Sequence, residues 1–147
     1  MTFRNILAAI DDSPQAAEAL DLAIELARAV GAALVVVHAI DPARLAAAGA
    51  DVMASSAMEV ELDELQTAGK ELLETAAARA KAAGLEVTTI LRDGVPAPTI
   101  VDTARGSKCD LIAIGTHGRR GVARVFLGSC AESVLRDSPV PVLVKRS

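Results

Sequence analysis

One stretch of the chain shows how the fold is organised: residues 110–137 read DLIAIGTHGRRGVARVFLGSCAESVLRD. The apolar run 110–114 predicts a strand that ends at Gly115. The glycine-rich segment that follows predicts a loop, and residues 129–136 predict a helix. A strand, a loop and a helix in this order form the repeating unit of parallel α/β sheets.

The same alternation of apolar strands and amphipathic helices extends outward over the rest of the chain. We expect the remaining strands at residues 3–10, 34–41, 85–91 and 140–144, and the remaining helices at about 14–30, 57–83 and 97–105. The second strand is apolar almost throughout, which is typical of a strand buried on both faces of a parallel sheet. Gly69 lies in the middle of the longest helix, where we expect a bend or a looser turn. Residues 42–56 are expected to form a loop or lid.

These elements predict a single α/β domain over residues 1–147, with a doubly wound, Rossmann-like sheet of five parallel strands and helices on both faces. The expected strand order is 3-2-1-4-5, in which the chain reverses direction between the first and fourth strands. Ligands bind such sheets at the carboxyl ends of the strands beside this switch point. Two unusual loops fall there, Asp11-Asp12-Ser13 and the glycine-rich loop from Gly115. The sequence therefore predicts a ligand site between these loops.

Composition and charge argue against several classes of function. The net charge of -4 disfavours nucleic-acid binding, and the chain has no Trp or Tyr on which bases could stack. Cys109 and Cys130 form no CxxC pair and are expected to be reduced thiols, as in cytosolic proteins. No apolar run approaches the ~20 residues of a membrane-spanning helix, and no secretory signal is visible. We therefore expect a cytoplasmic protein that binds neither nucleic acid nor membrane.

The glycine-rich loop has the features of an anion site. Gly115 lets the backbone turn at the strand end and approach a ligand, and Gly118 leaves backbone N–H groups unshielded. Gly128-Ser129 opens a helix whose free N–H groups and dipole favour a phosphate. Arg119 is a candidate phosphate contact or a surface charge. The spacing matches neither GxxxxGK[ST] nor GxGxxG, so a loop whose glycines only make turns remains an alternative.

Several other residues have more than one interpretation. Asp11 is a helix cap, a ribose or adenine contact, or a metal ligand, and Asp12 and Ser13 are also suited to capping. His38 lies inside an apolar strand and is interpreted as a core histidine rather than a ligand. Cys130 follows a helix start, a position that lowers thiol pKa, so a redox-sensitive thiol is an alternative to an inert one.

A longer pattern connects these residues to a known family. The pattern is G-x2-G-x9-G-[ST], and it is matched by Gly115, Gly118, Gly128 and Ser129. Together with the segments 38–41, 94–96 and 138–144, which read HAID, GVP and SPVPVLV, it resembles the universal stress protein family. The resemblance covers essentially the whole chain.

The resemblance implies the ATP-binding branch of that family, because the glycine pattern is complete. In that branch the loop holds the triphosphate and the ribose. By position, the resemblance assigns this role in the present chain to Gly115, Gly118, Gly128 and Ser129, with the N–H of Cys130 beside them. It assigns the contacts with adenosine to Asp11 and Ala39, and we place Ala9, near the end of the first strand, in the same site. ATP is the expected cofactor, with Mg²⁺ as an additional candidate that Asp11 and Asp12 could help to hold.

The primary functional hypothesis is an ATP-binding stress or signalling protein that is not an efficient enzyme. The sequence offers no Lys for the phosphates, no general base with a clear partner and no carboxylate cluster for two metals. One alternative is a slow ATPase of related fold. Another is a scaffold without nucleotide that binds a protein partner through residues 42–56.

The last strand predicts self-association. Residues 140–144 are apolar, lie at the edge of the expected sheet and include Pro141, which removes one ladder donor. We expect a two-fold homodimer through antiparallel last strands, an arrangement that the resemblance also implies.

Overall fold

Strands and helices alternate along the residues that the structure, a computed structural model, describes, which are 2–43, 55–116 and 127–146. The strands in these ranges are β1 (Asn5–Ala9), β2 (Ala33–Ile40), β3 (Val87–Asp93), β4 (Leu111–Gly115) and β5 (Val142–Lys145). The helices are α1 (Pro14–Val30), α2 (Ser55–Ala82), α3 (Pro96–Gly106) and α4 (Ser129–Asp137). No helix in these ranges is long and apolar enough to cross a bilayer.

All five strands pair in parallel, and their order is β3-β2-β1-β4-β5, which confirms the predicted order. One core cluster joins α1 and α2 to the face of β1 that carries Ile6 and Ala8. A second cluster joins α3 and α4 to the opposite face, which carries Leu7 and Ala9. Because residues alternate between the faces of a strand, the helices cover both faces of the sheet as expected.

Several element ends differ from the sequence prediction for local reasons. β1 begins at Asn5 rather than at Phe3, because the N–H groups of Arg4 and Asn5 donate to the Asp110 carboxylate at 2.9 and 3.2 Å. Bonds such as these to the Asp110 side chain offer the backbone an alternative to the ladder. β5 begins at Val142 rather than at Val140.

Gly69 lies inside a continuous helix and allows close packing there. α2 runs unbroken from Ser55 to Ala82, and Gly69 is buried within it. A Cβ atom added at Gly69 would lie 2.8 Å from Leu91 Cδ1 and 3.1 Å from His38 Cδ2. The missing side chain therefore lets the helix backbone approach β2 and β3 closely, which is a packing role rather than a hinge.

Candidate functional site

The structure brings the two predicted loops to one edge of the sheet. β1 and β4 are neighbours, with Ala8 paired to Ala113, so the chain leaves both strands at the same carboxyl edge. α4 begins at this edge as well, because the N–H of its N-cap Gly128 donates to the carbonyl of Thr116, the residue after β4, and the charges of Asp11 and Asp41 act on Cys130 in its first turn. The ends of β1 and β2 and the start of α4 thus meet at the predicted switch point.

Asp11 stabilises the turn between β1 and α1 rather than capping the helix. Its Oδ1 accepts a hydrogen bond from the Ser13 N–H at 2.8 Å. Ser13 is the N-cap, because its buried hydroxyl oxygen accepts from the Ala16 N–H at 3.1 Å and Pro14 occupies the first helical position. The helix-cap interpretation of Asp11 is therefore wrong, and the half-buried Asp11 carboxylate stays at the site edge.

His38 is hydrogen-bonded, as a core histidine should be. Its Nδ1 lies 2.8 Å from the Ile10 carbonyl oxygen, and because a carbonyl only accepts, Nδ1 carries the proton. The Ile10 N–H donates to the Val37 carbonyl at 3.0 Å. The ring is half-buried at the carboxyl end of β2, and its bond to Ile10 places it next to the turn that starts at Asp11.

The first turn of α4 has the features of an anion site. Gly128 is the N-cap, its φ and ψ are -61° and 156°, and as a glycine it supplies no side chain to cap the helix. Ser129 is exposed at the first helical position. The N–H groups at a helix start have no partner within the helix, and together with the positive end of the dipole they favour phosphate. The predicted site residues Gly118 and Arg119 lie outside the described residues.

Thr116 is a site residue that the sequence analysis missed. Its carbonyl oxygen accepts from the Gly128 N–H at 2.6 Å, and its own N–H donates to the Lys145 carbonyl at 3.1 Å. Thr116 is buried. Thr116, the residue that follows β4, therefore ties the start of α4 to β5. The sequence predicts that β4 and β5 are neighbours in the sheet. It does not predict which backbone groups at the strand ends bond to each other.

Gly115 allows a close helix contact that its sequence pattern did not indicate. Its φ is not in the left-handed region, and a Cβ atom there would lie 3.0 Å from the Gln15 carbonyl oxygen and 3.2 Å from Gln15 Cβ. The first turn of α1 thus passes directly over Gly115. This packing requires a glycine at the end of β4, and the contact of Gly115 with a ligand stays a prediction.

Two alanines line the same side of the sheet as Cys130. Ala9 is buried in the cluster that joins α3 and α4 to the sheet, and Cys130 packs against that cluster. Ala39 is half-buried and follows Val37 by two residues, so it points to the same face. Ala9 and Val37 are paired across β1 and β2. Small side chains at these positions leave room beside the strand ends.

Cys130 is not an activated thiol. Burial is the largest cause that raises its pKa, followed by the charges of Asp11 and Asp41, and together they bring the pKa to about 11. The expected lowering by the helix N-terminus is outweighed, so the redox-sensitive interpretation is wrong. Asp41 belongs to the site through this effect of its charge on Cys130, and its Oδ1 also accepts from the Ala43 N–H at 2.9 Å.

Among the described residues, no three His, Cys, Asp or Glu side chains converge as a metal site.

Comparison with known proteins places the whole chain in one family. The model of the universal stress protein family matches residues 2–146. A universal stress protein of Methanocaldococcus jannaschii is 32% identical over 97% of this chain and 81% of its own length. One from Thermus aquaticus is 37% identical over 98% of this chain and 99% of its own length. The structure of the universal stress protein UspA from Lactobacillus plantarum has a TM-score of 0.86 at 25% identity, over 99% of both chains.

Two of the similar structures contain adenine nucleotides. A universal stress protein in complex with cAMP has a TM-score of 0.69 at 25% identity, over 99% of this chain and 98% of the other. The universal stress protein from Archaeoglobus fulgidus in complex with dAMP has a TM-score of 0.69 at 26% identity, over 98% of both chains.

Proposed function

The chain belongs to the universal stress protein family, and we propose that it binds ATP at the carboxyl edge of its sheet, in a stress-response or signalling role. The observation that carries this proposal is the first turn of α4, which begins at a glycine that supplies no capping side chain and which lies beside Asp11 at the switch point. Such a helix start favours phosphate. The cAMP and dAMP complexes of related proteins support an adenine nucleotide as the ligand.

The site divides into a phosphate side and an adenosine side. On the phosphate side we assign Gly115, Gly118, Arg119, Gly128, Ser129 and the N–H of Cys130. On the adenosine side we assign Ala9 and Ala39, whose small side chains leave space for a purine, and Asp11, whose carboxylate can accept from a ribose hydroxyl. Mg²⁺ is an additional candidate beside Asp11 and Asp12, which carry the oxygen ligands that it prefers.

The direct test is the affinity for ATP of purified protein and of Ser129→Glu, measured by calorimetry. A carboxylate at the first helical position suits the helix dipole, so the fold should persist, but it places negative charge where the phosphates bind. Ala78→Glu is the control, because it adds the same charge at an exposed position of α2. We expect affinity to fall at least tenfold in Ser129→Glu and to be unchanged in Ala78→Glu. Equal affinity of all three proteins would sink the proposal.

We further propose that hydrolysis is slow or absent. The described part of the site contains carboxylates and a neutral thiol but no Lys or paired histidine poised beside α4. A purified sample should therefore release phosphate from ATP well below ~1 per second, a typical lower bound for enzymes. Faster turnover would favour the ATPase alternative, and no nucleotide binding at all would favour the scaffold.

The cysteines support a cytoplasmic location. Cys109 and Cys130 are free thiols, and Cys109 is buried. Free thiols persist in reducing compartments. Recovery of the protein in the cytoplasmic fraction of its cell is the expected result, and recovery outside the cell would contradict it.

Self-association through β5 is a separate part of the proposal. β5 is an edge strand, and the carbonyls of Pro141 and Lys145 bond to β4. In a parallel ladder the alternate residues Val142 and Val144 then direct their N–H groups away from β4, towards a second copy. Val144→Pro removes one such donor without removing a bond to β4. We expect a homodimer by sedimentation at micromolar concentration and a monomer for Val144→Pro; a monomeric wild type would disprove this assembly.

A further inference from the structure

We propose that His38 is a positioning residue of the nucleotide site, which holds the Ile10 carbonyl and thereby orients the Asp11 carboxylate, and that Gly69 of α2 seats its ring. This inference rests on the proposed ATP site, because Asp11 is its adenosine-side acceptor. His38 itself does not contact the nucleotide in this arrangement.

The first step is the hydrogen bond at the point where β1 leaves the sheet. Ala9 is the last residue of β1, and the following Ile10 still donates its N–H to the Val37 carbonyl at 3.0 Å. Its carbonyl oxygen accepts from His38 Nδ1 at 2.8 Å. A side chain of β2 therefore sets the direction in which the peptide between Ile10 and Asp11 points.

The second step is the position of Asp11 between two fixed bonds. On its amino side the Ile10 carbonyl is bonded to His38, and on its carboxyl side the Ser13 N–H donates to Asp11 Oδ1 at 2.8 Å. Ser13 is itself buried and caps α1. With both neighbours fixed, the carboxylate is preorganised, whereas loss of the bond to His38 frees one side of the turn.

The third step is the contact that fixes the imidazole ring. A Cβ atom at Gly69 would lie 3.1 Å from His38 Cδ2, so the backbone of α2 lies directly against the edge of the ring. Glycine destabilises the middle of a helix relative to alanine, and here its absent side chain is what allows this contact. α2 and the Asp11 turn are thus connected through one ring.

The chemistry of the ring supplies a sharp set of variants. Nδ1 is the donor, and the amide nitrogen of asparagine lies the same number of bonds from Cα as Nδ1, so His38→Asn keeps a donor in reach of the carbonyl. His38→Leu keeps an apolar body of similar size without any donor. Gly69→Ala leaves His38 intact, but its new Cβ, 2.8 Å from Leu91 Cδ1 and 3.1 Å from His38 Cδ2, requires Leu91 and the ring to shift or the helix to move.

The experiment compares ATP affinity in wild type, His38→Asn and His38→Leu, and repeats the last change in an Asp11→Ala background. An ordinary hydrogen bond corresponds to roughly tenfold in an equilibrium constant. We expect about a tenfold loss in His38→Leu, a loss of less than about threefold in His38→Asn, and a small further loss from His38→Leu once Asp11 is absent. Equal effects of His38→Leu in both backgrounds would overturn the proposal, because they would show that His38 does not act through Asp11.

Hydrogen exchange in the nucleotide-free protein separates this inference from the proposed function. The Ser13 amide, which is bonded to Asp11, should exchange faster in His38→Leu and in Gly69→Ala than in wild type or His38→Asn. If wild type bound no ATP, the proposed function would fail, and the exchange rates would still decide whether His38 orders the turn. Unchanged exchange of Ser13 in His38→Leu would refute the positioning role.

Discussion

The backbone N–H of Gly128 donates to the carbonyl oxygen of Thr116 at 2.6 Å, and this bond joins the end of β4 to the start of α4. Thr116 also donates its N–H to the Lys145 carbonyl, so the same residue is anchored on its other side by β5. The phosphate side of the proposed site therefore begins from a backbone position that two strands hold in place.

The bond between Gly128 and Thr116 gives a matched pair of variants. The φ of Gly128, -61°, is one that proline adopts, but in Gly128→Pro a ring carbon replaces the N–H donor and pushes the Thr116 carbonyl away, so the bond is lost and the two segments must separate. Gly128→Ala keeps that donor. We expect Gly128→Pro to lower the free energy of unfolding by about 1–2 kcal/mol and Gly128→Ala to change it by less than about 0.5 kcal/mol, as measured by urea unfolding. Equal stability of the two variants would show that the bond contributes nothing.

The close approach of α1 to Gly115 predicts a second stability difference. In Gly115→Ala the new Cβ would meet the Gln15 backbone at 3.0 Å, and backbone yields at a cost of about 1–3 kcal/mol. Gly106→Ala is the control, because nothing lies within 4 Å of a Cβ at that helical position. There alanine should stabilise the fold by about 0.5–1 kcal/mol. Thermal or urea unfolding measures both, and a stabilised Gly115→Ala would contradict the packing role.

The environment of Cys130 predicts slow alkylation. Burial and the charges of Asp11 and Asp41 raise its pKa from 9.0 to about 11, and the thiolate is the reactive form. In a Cys109→Ala background, the reaction with iodoacetamide at pH 8 should be roughly a hundredfold slower in the folded protein than in urea. Asp41→Asn should speed the folded reaction. A folded rate equal to the rate in urea would mean that the thiol is exposed and activated.

The two raised thiol pKa values also predict how stability changes at alkaline pH. Burial and the charge of Asp110 raise the pKa of Cys109 to about 11, as happens for Cys130 through its own neighbours. Between about pH 9 and 11 the unfolded chain loses thiol protons that the folded chain retains, so stability falls as pH rises; below pH 9 neither state ionises and the effect is absent. The double variant Cys109→Ala/Cys130→Ala should lack this part of the decline. The prediction is wrong if the free energy of unfolding, measured with urea, falls equally in the double variant and in wild type from pH 8 to 10.5.

Much of the fold follows from periodicity, and the reasons for the misses are physical. Apolar runs and capping glycines such as Gly31 predicted the strands, the helices and their order, because burial on both faces requires that pattern. The role of Gly115 was missed, since a glycine pattern does not tell which backbone comes close. The pKa of Cys130 was misjudged, since the helix position was known but its neighbours Asp11 and Asp41 were not.

The candidate site was predicted in outline rather than in its supporting contacts. Asp11 and Ser129 were placed at one edge because parallel strands end together. The bond of His38 to Ile10 and the contact of Gly69 with His38 depend on side-chain directions across three elements. No spacing along the chain encodes such distances, so the contacts of these residues appear only in the folded structure.

The bond from Thr116 to Lys145 has a consequence for the newly made chain on the ribosome. β4 is synthesised before β5, yet the Thr116 N–H finds its partner only on the last residue of β5. A growing chain that has completed β1, β4 and α4 still lacks this anchor. Until β5 has been translated and docked, Thr116 at the end of β4 is held from one side only, so the proposed nucleotide site is completed late in biosynthesis.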